Sequence, residues 1–198
     1  MALPVEFLHG ISREAINELA VRRYEGEVRL VATAEDLERA AADFAVERVV
    51  GFDTETRPAF RVGQHYPPAL VQVATGRAVY LFQLARLECS GVLAPLLGAA
   101  ATVKAGVGLA EDLRQLKAMF DFTPAAIVDL GSVARRHGLE RSGVRALAAL
   151  FLGIRIPKGT KTSNWAAPRL SRAQVAYAAT DAWVCRELYL KFEALALL

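Results

Sequence analysis

Asp53 and Glu55 stand two residues apart in Val49-Val50-Gly51-Phe52-Asp53-Thr54-Glu55-Thr56. Alternate side chains of an extended strand share a face, so these two carboxylates point the same way. Four mostly apolar residues run straight into them, and unpaired charge on a buried strand is costly. A divalent cation removes the difficulty, because hard cations such as Mg²⁺ take carboxylate oxygens. A strand end that reaches solvent would also accommodate the pair, so the rest of the chain has to decide.

Two further places offer suitable groups. Asp112 falls in the first turn or so of a helix that follows Val107-Gly108. Acids there are also good helix chemistry, and on that ground the neighbouring Glu111 is equally acceptable. Tyr177 and Asp181, four residues apart, lie on one face of a helix whose Ala176, Ala178, Ala179 and Ala182 let another backbone approach closely. An acid on an otherwise apolar helix needs a partner. A single hydrogen bond would meet that need as well, with Tyr177 an amphipathic core residue. Taken together, the order is Asp-x-Glu, then Asp, then Tyr-x-x-x-Asp. Four carboxylates suit a pair of cations about 4 Å apart, one activating water and one steadying a leaving oxygen. A phosphate is then held in line and catalysis is mostly electrostatic. Tyr177 could orient the attacking water; an unperturbed pKa of about 10 makes it a weak base. His9, His65 and His137 are scattered without metal-ligand spacing and read as surface or structural residues.

The elements that must position these groups follow from periodicity. Residues 1–27 read as an N-terminal extension with a helix capped by Ser12 and running to about Val21. Strands are expected at 28–32, 49–52, 69–74, 78–82, 102–105 and 127–129, the third and fourth joined by a hairpin through Thr75-Gly76-Arg77. Thr33 to Asp36 and Ser171 to Gln174 have capping-box spacing, each opening a helix. Further helices are expected at 91–98, 109–120, 130–137 and 144–152. Residues 57–68 and 155–170 carry Pro and Gly without periodicity and read as loops. The order predicts one α/β domain with a mixed sheet and a single crossover.

Composition agrees with a soluble chain: 54% hydrophobic and 23% charged residues over 198 positions. No apolar run approaches the roughly 20 residues a membrane span needs. The first ten residues lack a secretory n-region and h-region, and Cys89 and Cys185 lack metal spacing, so reduced thiols and a cytoplasmic location are expected. Net charge is only +3, yet 135–172 holds nine Lys and Arg against Glu140 alone, leaving −5 for the remainder. Such clustering is the footprint expected for a polyanion, although a solvated basic face looks the same.

The motifs resemble the DEDD superfamily of 3′–5′ exonucleases, in its tyrosine-containing DEDDy subclass. The likeness spans about Val28 to Phe192, through Phe52-Asp53-Thr54-Glu55-Thr56, Val107 to Leu113, and Tyr177 to Ala182. Lys161-Thr162-Ser163-Asn164-Trp165 followed by Leu170-Ser171 is similar to the segment before the last motif in Werner-syndrome-type and ribonuclease D-type exonucleases. The resemblance implies a ribonuclease H-like (DnaQ-like) fold over 28–198: a mixed sheet flanked by helices. It also implies two Mg²⁺ or Mn²⁺ ions and stepwise release of nucleoside 5′-monophosphates from the 3′ ends of DNA or RNA. Carried over by position, Asp53, Glu55, Asp112 and Asp181 bind metal, Asp53 bridging both cations, and Tyr177 orients the water. Glu55 would touch the terminal 3′-hydroxyl, and Asp112 fits better than Glu111 because Leu113 follows it. Arg141, Arg145, Lys158 and Lys161 are candidates for phosphate contacts, and Phe60 or Trp165 for base stacking, Trp165 equally for a core anchor. The chain shows no helicase and no appended helical nucleic-acid-binding domain, so strand capture is expected from the domain itself, a homo-oligomer or a protein partner. A non-catalytic module that binds strand ends and a small-nucleotide phosphodiesterase are the competing readings.

Overall fold

The described residues form six strands and seven helices. In order they are α1 (Arg13–Glu18), β1 (Glu27–Val31), α2 (Ala34–Ala45), β2 (Val49–Thr56), β3 (Pro68–Ala74), β4 (Ala78–Gln83) and α3 (Ser90–Gly98). β5 (Val103–Gly106), α4 (Leu109–Lys117), β6 (Ile127–Asp129), α5 (Leu130–Arg136), α6 (Val144–Leu152) and α7 (Arg172–Ala194) follow. The computed structural model describes residues 3–4, 7, 9–59, 61, 63–158 and 163–198, so the candidates Phe60 and Lys161 lie outside the described residues. Among the described residues, no helix is long and apolar enough to cross a membrane.

The strands form one mixed sheet in the order β1-β4-β3-β2-β5-β6. β2, β3 and β4 are antiparallel neighbours, whereas β1–β4, β2–β5 and β5–β6 are parallel pairs. Parallel strands need crossover connections. Three crossovers through α2, α3 and α4 therefore replace the single one expected. Strand alternation sorts the core into two layers. Val50, Phe52, Val71, Val73, Tyr80 and Phe82 pack under α2, α3 and α4. Val49, Ala105, Leu70 and Leu81 face α5, α6 and α7. By the same alternation Gly51, Asp53 and Glu55 look toward α7, and Thr54 looks toward α4.

Both expected capping boxes form, Thr33 with Asp36 and Ser171 with Gln174, and they fix where α2 and α7 begin. The N-terminal helix is shorter than its periodicity suggests. It stops at Glu18 because the chain turns extended at Leu19 and pairs instead with Arg155. The Arg155 amide donates to the Ala20 carbonyl at 3.0 Å, and the Arg22 amide to the Arg155 carbonyl at 2.8 Å. α4 likewise ends at Lys117, three residues early, and β2 runs on through both acids to Thr56.

One contact sets the height of α7 above the sheet. A Cβ built on Gly51 would stand 1.9 Å from the Ala182 carbonyl oxygen and 2.8 Å from the Arg186 amide. Only a hydrogen fits there. Gly51→Ala is expected to cost about 2–3 kcal/mol, the upper range for overpacking a tight site. Chemical denaturation checks this, and a loss below about 0.5 kcal/mol, the range of neutral surface changes, would show that α7 moves aside freely.

Candidate active site

The Gly51 contact brings α7 down onto the acid-bearing end of β2. Oxygens of Asp53, Glu55 and Asp181 lie within 4.8 Å of one another. Three carboxylates at this range repel, and burial removes the water that would screen them. Asp53 is accordingly pushed well above the usual carboxyl range, by burial first and then by Asp181, Glu55 and Asp112. Glu55 is pushed up to about 8 by burial and by Asp181 and Asp112. Asp181 is raised to about 6 by burial, with a hydrogen bond from Tyr177 and the charge of Arg145 pulling the other way.

Asp112 reaches the site from the opposite layer. The Thr54 hydroxyl, on the α4 side of β2, donates to Asp112 Oδ1 at 2.7 Å. Asp112 stays outside the tight group of three but close enough to raise Asp53 and Glu55. Its own carboxyl is raised by burial, against the Thr54 hydrogen bond. Glu111 points elsewhere. It is exposed, and bonds from Arg114 and Gln115 hold its carboxyl down to about 2. The choice between these adjacent acids is thus made by which one the turn before α4 aims inward.

That turn is held by a residue that sequence reading took only as a strand end. Asp129 Oδ2 accepts from the Gly108 amide at 3.0 Å while Oδ1 caps α5 through the Ser132 amide at 2.9 Å. The signal was available: an acid at the end of a short strand, three residues before Ser132, is an N-cap pattern. Gly108 adopts φ +80°, the left-handed region that glycine tolerates.

Tyr177 is half-buried, its ring 6.0 Å from that of Trp165, and its hydroxyl hydrogen-bonds Asp181. Burial and the Asp181 charge raise the phenol above its ordinary pKa, so it keeps its proton. Trp165 is 5% exposed and packs with Leu70, Ala178 and Ala182. Arg145 is half-buried beside Asp181, and Arg141 and Lys158 are exposed. A cavity of about 310 Å³ opens at Glu55, walled by Arg57, Gln64, His65, Tyr66 and Trp165 among others. The Arg57 guanidinium lies 4.1 Å above the Tyr66 ring. Sequence reading passed over Arg57, Gln64 and Tyr66, and took His65 as surface or structural; a polar loop directly after the acid-bearing strand must sit at its mouth.

Comparison with known proteins decides the family. A family model described as 3′–5′ exonuclease matches residues 28–196. The chain belongs to the 3′–5′ exonuclease family. Among relatives of this exonuclease domain, ribonuclease D of Haemophilus influenzae is 32% identical over 142 residues, covering 71% of the chain and 35% of that protein. The bifunctional 3′–5′ exonuclease/ATP-dependent helicase WRN of Mus musculus is 32% identical over 149 residues, 72% of the chain and 11% of that protein. The chain therefore spans about a third of the one relative and about a tenth of the other. The Aedes aegypti Nibbler EXO domain superposes with a TM-score of 0.76 at 23% identity, covering 89% of this chain and 91% of that one. Escherichia coli RNase D gives 0.73 at 22% identity over 85% and 46%. The fold is the ribonuclease H-like α/β arrangement.

Among the described residues no cationic side chain lies within the group of three, and the set fits divalent cations: positive charge there would offset the burial that raises all three carboxyls and the repulsion that adds to it at Asp53 and Glu55. Each acid titrates higher in the folded than in the unfolded chain, so its ionisation opposes folding. The penalty from this group is absent below about pH 4 and grows as pH rises through about 6 for Asp181 and about 8 for Glu55. The thermal midpoint in EDTA is expected to fall between about pH 5 and pH 9, to recover on adding Mn²⁺ at the alkaline end, and to depend less on pH in Asp53→Asn. A midpoint that ignores both pH and Mn²⁺ would contradict a carboxylate metal site.

Proposed function

We propose that this chain is a two-metal-ion 3′–5′ exonuclease acting on DNA or RNA, with residues 28–198 as the exonuclease domain, 1–27 as an extension, and a cytoplasmic location. The observation that carries the reading is the convergence of Asp53, Glu55 and Asp181 within 4.8 Å, with Asp112 beside them. Asp53, Glu55, Asp112 and Asp181 would hold two Mg²⁺ or Mn²⁺ ions. Such ions supply a water of lowered pKa and stabilise the charge that develops on phosphate and leaving oxygens.

The chain's own residues account for the remainder. Tyr177, on the same helix face as Asp181, would hold the attacking water through its hydroxyl. Asp181 accepts from Tyr177 and fixes where that hydroxyl points. Arg145, whose charge acts on Asp181, would meet the phosphate. Water adds to phosphorus and the bond to the preceding nucleotide's O3′ breaks. The products are a nucleoside 5′-monophosphate and a strand ending in a new 3′-hydroxyl. The ribonuclease D relative, named for RNA, and WRN, named as a 3′–5′ exonuclease, support the substrate class.

The experiment is a time course on 5′-labelled single-stranded DNA and RNA with Mn²⁺ or EDTA. A metal-dependent ladder shortening from the 3′ end is expected. Asp53→Asn should lower kcat by about three orders of magnitude, the scale of losing a group that bears on transition-state charge. Tyr177→Phe should lower kcat about a hundredfold with KM little changed, as for a group that orients the nucleophile. Strand binding without any shortening would replace this reading with an end-binding module.

A further inference from the structure

Two cavities beside the site share Lys158. One, of about 660 Å³, runs from Tyr177 and Trp165 past Lys158 to Arg23 and Arg172. The other, of about 430 Å³, is walled by Arg13, Asn17, Arg141, Arg145 and Lys158. Among the described residues, neither wall includes a carboxylate. The inner end of the first is Tyr177, and the inner end of the second is Arg145, whose charge reaches Asp181. Arg13 and Arg23 come from the segment ahead of residue 28, where the family match begins.

Among the described residues, Arg13, Arg23, Arg141, Arg145 and Lys158 form no ion pair, whereas Arg29, Arg39, Arg48, Arg77, Arg114 and Arg186 all do. Unpaired cations along a groove repel one another and favour a polyanion in it. Glu14 and Glu18 are the acids of residues 12–24, and both lie outside the two cavity walls. The Glu14 carboxyl is lowered first by hydrogen bonds at the helix start and then by Arg141 and Arg13. The segment is anchored. Arg155 Nη1 donates to the Asn17 carbonyl at 2.8 Å, the Tyr24 amide donates to Thr180 Oγ1 at 3.0 Å, and the Tyr24 ring sits 6.0 Å from Trp183.

We infer that residues 12–24 form one wall of a basic groove that leads the 5′-ward backbone of a single nucleic-acid strand away from the carboxylates, with Arg13 and Arg23 contacting its phosphates. This inference rests on the exonuclease reading for the direction of the strand. Its chemistry is that of sequence-tolerant strand binding, in which spaced cations follow a regular polyanion.

The test is fluorescence anisotropy of labelled single-stranded DNA and RNA with EDTA present, so that nothing is cut, across a salt series. Arg13→Ala and Arg23→Ala are each expected to bind several-fold more weakly. The slope of log affinity against log salt should become shallower by about 0.7 for each phosphate that is no longer neutralised. Arg39→Ala, on α2 across the sheet, serves as the comparison and should match the wild type; circular dichroism verifies that all variants fold. Wild-type affinity and slope in both groove variants would overturn the inference, as would a wild-type protein that does not bind a strand. Strand shortening with Mn²⁺, followed separately, reports on the exonuclease reading alone: binding that depends on Arg13 and Arg23 without shortening would remove the activity but not the groove.

Discussion

The approach of α7 to β2 at Gly51 governs what the rest of the molecule can do. With no side chain at that position, the Ala182 carbonyl settles against the strand, and Asp181, one residue earlier, is carried to the level of Asp53 and Glu55. The three carboxylates then share a space where water is scarce; burial raises all three, and neighbouring charge adds to it at Asp53 and Glu55. Folding a domain is worth only about 5–15 kcal/mol, so a seam that opposes folding at neutral pH has to be carried by the two apolar layers on either side of the sheet. The same crowding of carboxylates is what makes the seam suited to divalent cations.

Charge is divided in space as well as along the sequence. The acids project from β2 and from the helices packed on its two faces, α4 and α7. Arg13, Arg23, Arg141, Arg145 and Lys158 line cavities built from α6, the segment around Lys158, the start of α7 and the anchored residues ahead of β1. This separation keeps Arg and Lys from neutralising the carboxylates directly. Arg145 is the point of contact between the two territories, close enough to lower Asp181 without entering the group of three. A phosphodiester backbone, negative along its length, is the kind of partner that spans both.

Much of this was legible one element at a time. Alternation put Asp53 and Glu55 on one face, helical spacing put Tyr177 and Asp181 on another, and the capping boxes at Thr33 and Ser171 marked helix starts that the structure reproduces. These signals are local, set by the period of a strand or helix and by hydrogen bonds three residues apart, and a chain carries them wherever it is placed. The shorter α1 shows where local reasoning stops. Its apolar spacing continued to Val21, but the backbone there found a partner in Arg155, more than a hundred residues away.

The sequence by itself determined the kinds of groups available, the faces they share within each element, and the motif order that resembles the DEDD exonucleases. The motif already favoured Asp112 over Glu111; only the tertiary structure decided how Glu111 is diverted to Arg114, that Thr54 and Asp129 hold Asp112 and its turn, and that Trp165 is buried against Tyr177. It also decided that Arg13 and Arg23 stand beside Arg141 and Lys158. Spacing along the chain fixes periodicity; distances between residues far apart in sequence are fixed by how layers pack. Here a single missing Cβ sets one of those distances.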